Sequence, residues 1–134
     1  MAGSTNVSAF VAGLDRDVAR IKEDAVDKRA RAVALRALTD LVMTTRVDTG
    51  RARGNWDVAV GQPPTAVREV TDQQGGVTIS RGGQVIAGWD AEGVIWIANN
   101  VVYIQSLEDL DGMLEGTYQA LQTWLDSNPW AGAR

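Results

Sequence analysis

The stretch TTRVDTGRARGNWDVAV, Thr44 to Val60, divides this chain into two kinds of periodicity. Upstream, residues from about Ser8 to Arg46 contain no Pro and only Gly13, and apolar residues recur at helical spacing. Downstream of Gly54 the period falls to two: Trp56, Val58 and Val60 share one face, and Asn55, Asp57 and Ala59 the other, the pattern of a half-buried strand. Between them, Asp and Thr accept backbone hydrogen bonds where a helix frays, and Gly permits a positive φ. Asp48, Thr49 and Gly50 are therefore expected to turn the chain from helix into sheet, with Trp56 anchoring the new strand.

The upstream helix carries Phe10, Leu14, Val18, Ile21 and Ala25 on one stripe. Val26, Ala30, Val33, Ala37 and Leu41 lie on a neighbouring one, beside Leu38 and Val42. At about 1.5 Å per residue, a helix over 8–46 spans on the order of 50 Å, more than a small domain covers. Either it breaks near Asp24 to Lys28, or part of it projects to lie against another subunit. Asp15, Arg16, Glu23, Asp27 and Arg31 read as a solvated face, with Asp27 and Arg31 at the supportive four-residue spacing.

Beyond the first strand, GQPP ends the ladder because proline cannot donate to it. AVREV (Ala66 to Val70) and GVTIS (Gly76 to Ser80), separated by a turn-rich segment, predict a hairpin of edge strands. Ser80 is placed to cap a short helix through Gly93 with Ala87 and Trp89 inward. VIWIANN, Val94 to Asn100, is apolar on both faces, which predicts a central strand or one covered by a partner. From Tyr103 the helical period returns in Leu107, Leu110, Leu114, Tyr118, Leu121 and Leu125. The interruption LEDLDG predicts a short helix, a tight loop and a last helix from about Gly112 to Ser127. Trp130, in the tail, either meets a partner or folds back. The expected fold is α+β in one domain, 1–134. It has a long N-terminal helix (about 8–46), a small, mainly antiparallel sheet of about four strands with a short helix (about 54–100), and a C-terminal helical part (about 102–127) packed on the sheet.

The 134 residues are 45% hydrophobic, the size and composition of one ordinary globular core. A net charge of -4 disfavours a surface tuned for phosphates. The charge is uneven: residues 1–53 hold 10 of the 13 Lys and Arg against 7 Asp and Glu, whereas residues 54–134 hold 3 against 10. Such a subunit can attract copies of itself head to tail, as in a heterologous ring, or the two halves can neutralise each other within one fold. The absence of Cys and His removes thiol nucleophiles, thiolate and imidazole metal sites, and Ser-His-Asp chemistry. No metal or cofactor is expected. No apolar run reaches the roughly 18 residues of a membrane span, and MAGSTNVSAF lacks the features of a signal peptide, so a protein made in the cytoplasm is expected.

Val-Asp-Thr-Gly is also the tetrapeptide that carries the catalytic aspartate of aspartic proteases, and one copy per chain would serve a homodimer in which two carboxylates share a proton. In that family the loop lies within an all-strand body. Here Asp48 follows a long helical segment, and Arg51 and Arg53 come next, cations that work against a shared proton. A small dimeric protease using Asp48 is thus the weaker reading. A nucleic-acid-binding helical adaptor, using KEDAVDKRARAVALR, is weakened by the interleaved acids.

Taken together, VDTGRARGNWDVAVG, then IWIANNVVYIQSLED about forty residues on, then GMLEGTYQAL, resemble in order and spacing the neck and tail-completion proteins of long-tailed bacteriophages, the minor tail protein Z-like family. The match falls on Asp48, Thr49, Gly50, Arg51, Arg53, Asn55 and Trp56, on Asn99, Asn100, Tyr103 and Glu108, and on Gly112 and Met113. It spans about residues 45–121. The chain departs from the family where a Gly-x-Ser-x-Gln-Ala-Pro loop joins the glutamate to Gly-Met: only Asp109 to Asp111 stands there, so contacts of that loop are not carried over. The resemblance implies a non-enzymatic virion protein, made in the host cytoplasm. It would form a ring, of six copies, at the head-tail junction, as a tail-completion or terminator ring meeting the tail tube protein and the head connector or stopper protein. DNA would pass its lumen without specific binding. Arg51 and Arg53 would pair with the acidic half of the next subunit or line that lumen.

Overall fold

The computed structural model describes residues 24–129. The Ala- and Leu-rich run Asp24–Thr44 forms helix α1. Ala30, Val33, Ala34, Ala37, Leu38, Leu41 and Val42 are buried along it at alternating steps of three and one, so one broad stripe of α1 is the spine of the core. The Thr44 and Thr45 hydroxyls donate back to the Asp40 and Leu41 carbonyls as the helix ends, two residues before the expected stop. The part of the expected helix before Asp24 lies outside the described residues, as does Trp130.

After the turn come a single helical turn α2 (Arg51–Gly54), strand β1 (Trp56–Val60), helix α3 (Gly76–Ala87), strand β2 (Ile95–Asn99), helix α4 (Ile104–Asp111) and helix α5 (Met113–Ser127). The two strands pair antiparallel, Trp56 opposite Asn99 through Val60 opposite Ile95, and the Gly61 N–H extends the ladder to the Val94 carbonyl at 2.8 Å. Trp56, Val58, Ile95 and Ile97 share the face turned to the helices and are buried. α3 packs on α1 and β1, and α5 packs on α1.

The architecture is α+β, but among the described residues the sheet has two strands, not four. Ala66 to Val70 is irregular, and Gly76 to Ser80 forms the first turns of α3 rather than a strand. The start of α3 is set by Asp72, whose carboxylate accepts from the Gly75 and Thr78 N–H groups and the Thr78 hydroxyl at 2.7 to 2.9 Å. Those bonds satisfy N–H groups that lack intrahelical partners. Ser80 is therefore mid-helix, Ala87 is exposed, and the helix stops at Gly88 rather than Gly93; Trp89 is buried as expected. Gly82 and Gly83, poor helix formers, are carried inside α3 because of packing: a Cβ on Gly82 would lie 2.5 Å from Leu38 Cδ2 and 2.8 Å from Val58 Cγ2. Only glycine lets the backbone come this close to α1 and β1.

β2 is one of a pair rather than a central strand, and its second face meets a loop through the cross-strand neighbour Asp57. The C-terminal break falls where expected, with Gly112 at φ 62 between α4 and α5. The principal neighbour of α5 is α1 rather than the sheet. Leu114 and Leu121 are buried, but Leu110 of the predicted stripe is 70% exposed, because the turn at Gly112 rotates α4 away from the core-facing line of α5. Arg31 is not on a solvated face: it donates to the Trp89 carbonyl and lies over that indole, 5.6 Å from its centroid.

Candidate functional site

The turn after α1 is tight because Gly50 adopts φ 93, and a Cβ there would meet the Asp72 and Gln73 backbone nitrogens at 2.8 Å. The Gly50 carbonyl accepts from the Gly54 N–H at 2.9 Å, closing α2, and from the Asp72 N–H at 3.0 Å. The Thr49 hydroxyl accepts from the Arg51 N–H at 3.2 Å, while Asp48 is exposed. The expected reversal is therefore present, with an unforeseen helical turn between it and the strand.

The two arginines of the motif differ. Arg53 donates to the Thr45 carbonyl through Nε and Nη2 at 3.2 and 2.8 Å, to Met43 through Nη2 at 3.1 Å, and to Gln73 through Nη1 at 2.7 Å. A cation is thus placed on carbonyls left open at the end of α1, where it also complements the helix dipole. Among the described residues the Arg51 guanidinium reaches only the exposed Glu69, at 3.3 Å, an ion pair of a kind worth about 0–1 kcal/mol.

The asparagines hold a long loop. Asn55 is buried; its Oδ1 accepts from the Arg68 N–H at 2.7 Å, and its Nδ2 donates to the carbonyls of Arg51 at 2.8 Å and Arg68 at 3.2 Å. It pairs with Arg68 as a strand neighbour would. Asp57, next but one, accepts from Arg68 Nε and Nη2, each at 3.2 Å. Arg81 adds a second cation 3.8 Å away and donates to the Gly54 and Trp56 carbonyls. Burial, then the Arg68 charge, push the Arg81 guanidinium below its ordinary value, with Asp57 and Asp72 opposing. Asn100 donates to the Pro64 carbonyl at 2.8 Å, and Asn99, fully buried, donates to the Ala52 carbonyl at 2.7 Å. The motif residues thus tie residues 61–75, which form no helix or strand of their own, to α2 and the sheet.

A groove of about 530 Å³ opens at the same end of the molecule, lined by Asp48, Thr49, Gly50 and Arg51 from the turn, by Tyr103 just before α4 and by Leu107 within it, with Arg46, Val47 and Ala52. Its edge is fixed by Arg46, which donates to both carboxylate oxygens of Asp111 at 2.6 and 2.7 Å. Glu108 faces the other way and accepts from the Leu114 N–H at 2.8 Å, capping α5. Met113 is buried beside Leu114.

Of the residues singled out in the sequence, the groove gathers Asp48, Thr49, Gly50, Arg51 and Tyr103. Asn100 serves the loop, Asn99 ties β2 to α2 through Ala52, Trp56 and Met113 belong to the core, and Arg53, Glu108 and Gly112 shape helix ends. The sequence reading missed Thr45, Asp57, Arg68, Asp72 and the Arg46–Asp111 pair. Only Asp72 had a local signal, an acid just ahead of a helix start with Thr six residues on. Among the described residues no group of three or more Asp or Glu is placed to hold a metal ion, and no helix is long and apolar enough to cross a membrane. No known protein family matches the chain, and neither does any curated protein or solved structure.

Proposed function

We propose that this chain is a structural virion protein of a long-tailed phage, a subunit of the tail-completion or terminator ring at the head-tail junction, acting by association with its own copies and with tail-tube and connector proteins. One observation supports this most directly. The motif side chains that carry the resemblance are mostly engaged with backbone: Arg53 on three carbonyl groups, Asn55 on Arg68, Asn99 on Ala52 and Glu108 on the start of α5. They form a scaffold that holds a loop and a groove at one end, as suits a subunit that works by shape and docking rather than by turnover. Arg51, half-buried in the groove lining and held only by a weak pair with the exposed Glu69, is the motif cation placed to exchange that partner for the acidic half of a neighbouring copy.

Analytical ultracentrifugation and negative-stain imaging test the reading. Six-fold rings, or monomers that form rings only when tail tubes are added, are expected. A dimer with peptidase activity that Asp48→Asn abolishes would overturn it, and so would a stable monomer that binds duplex DNA with a steep salt slope.

A further inference from the structure

We infer that the Asp111–Gly112 bond is a latent isomerisation site, at which the Arg46 fork and the helix end around Gly112 keep the Asp111 carboxyl from closing on the Gly112 nitrogen. Asp-Gly is the dipeptide most open to this reaction, because glycine puts no side chain beside the attacking nitrogen. The chain contains one such step and no Asn-Gly. In the reaction the Gly112 nitrogen attacks Cγ of Asp111. An N–Cγ bond forms, and the proton on nitrogen and the carboxyl OH leave together as water. Water then opens the five-membered ring at either carbonyl, which restores aspartate or leaves isoaspartate, whose main chain runs through the former side chain.

The folded chain opposes each part of the first step. The Gly112 N–H is tied to the Glu108 carbonyl at 2.8 Å where α4 ends, and the Gly112 carbonyl accepts from the Gly116 N–H at 2.8 Å as α5 begins. Gly112, at φ 62, is thus fixed from both sides. Attack requires its nitrogen to leave Glu108 and turn toward the side chain. That side chain is held as well: Arg46 Nε and Nη2 take one carboxylate oxygen each, at 2.7 and 2.6 Å, which fixes the carboxylate plane. Those bonds also hold the carboxyl below its usual range, and the ionised form has no OH to release. The Asp111 side chain is 24% exposed, so water reaches any ring that forms. Isomerisation lengthens the main chain between α4 and α5 and takes the partner from Arg46, which fixes the edge of the groove.

The test holds the full-length parent and Arg46→Gln at neutral pH, both folded and in urea. Isoaspartate at Asp111 is read by mass spectrometry of fragments and by the failure of an aspartate-specific endoprotease to cut before that residue. Asp126, exposed near the end of α5 and followed by Ser127, is the internal reference. The parent in urea is expected to accumulate isoaspartate at Asp111 much faster than the folded parent. Folded Arg46→Gln, with a parent-like circular dichroism spectrum, is expected to exceed the folded parent by about fivefold at Asp111 and not at Asp126, the scale on which removing an exposed ion pair changes a local opening. Arg46→Lys keeps the charge without the fork; it is expected to fall between, and it carries the same comparison should the glutamine variant not fold. Equal rates at Asp111 in the folded and unfolded parent overturn the inference. So does a folded Arg46→Gln no faster than the parent there. A rise shared equally by Asp111 and Asp126 also overturns it, because it reports general loosening rather than loss of the fork.

Discussion

The indole N–H of Trp56 donates to the hydroxyl of Thr45 at 2.7 Å, and that hydroxyl donates onward to the Leu41 carbonyl at 2.6 Å, with both residues wholly buried. The first residue of the sheet is thereby locked to the last turn of α1 across the whole reversal. Thr45→Val keeps the shape but leaves the indole N–H unpaired in the core, and is expected to cost about 1–3 kcal/mol. Urea denaturation monitored by circular dichroism checks this; an unchanged midpoint would show that the bond contributes nothing net.

Arg53 and Arg51 should separate cleanly. Arg53→Ala strips a charged donor from three carbonyl groups and is expected to destabilise by about 2–3 kcal/mol, with Arg53→Lys recovering only part because the ammonium cannot reproduce the planar fork. Arg51→Glu should change stability by less than about 1 kcal/mol and act on assembly instead. Chemical denaturation alongside sedimentation distinguishes the two, and equal effects on folding would contradict the assignment.

A paired substitution in α3 tests the close approach of the helices. Gly82→Ala gains helix propensity of about 1 kcal/mol but forces a methyl into Leu38 and Val58, so a net loss of about 1–2 kcal/mol is expected. At Gly83 the nearest atom to an added Cβ is Leu35 Cδ1 at 3.5 Å, and Gly83→Ala should be neutral or stabilising by up to about 1 kcal/mol. Thermal midpoints that move the same way in both variants would rule out this packing.

Acid should loosen the start of α3. Burial raises the Asp72 carboxyl, but bonds from the Thr78 hydroxyl and the Thr78, Gly75 and Gln74 N–H groups outweigh it and hold the group below its usual range. Asp111 shifts the same way, through its hydrogen bonds from Arg46 and then their charge attraction, against slight burial. A carboxyl whose folded value lies below its unfolded one contributes stability that is present above about pH 4 and lost as pH falls through the depressed value. Urea midpoints should therefore decline in that acid window, and Asp72→Asn should be less stable at neutral pH with a shallower decline. A variant whose acid profile parallels the parent would exclude Asp72 as a cause.

Much of the site's outline was legible in the sequence, because the turn at Gly50, the anchoring role of Trp56 and the break at Gly112 depend on residue types acting on their own neighbourhood. The groove was not legible. Arg46, Tyr103 and Leu107 come together only because Arg46 pairs with Asp111, sixty-five residues away, and no local pattern encodes such a pair. Leu110 likewise fits the apolar period of α5 in sequence, yet Gly112 sets α4 on its own axis and leaves that side chain outside.

The sequence by itself determined the elements that rest on period: the described helix α1 as far as Thr44, the two strands at Trp56 and Ile95, and the helical pair after Tyr103. Hydrophobic repeat and backbone preference act over a few residues, so they can be read from a few residues. Only the tertiary structure decided that Ala66 to Val70 is not a strand and that α3 begins at Gly76. There backbone groups of the loop are satisfied by Asn55 and Asn100, Asp57 holds the Arg68 side chain, and Gly82 meets Leu38 and Val58 at distances that no propensity anticipates. Hydrogen bonds from side chain to distant backbone leave no periodic trace in a chain, which is why the loop clamp appears only once the fold has brought its partners together.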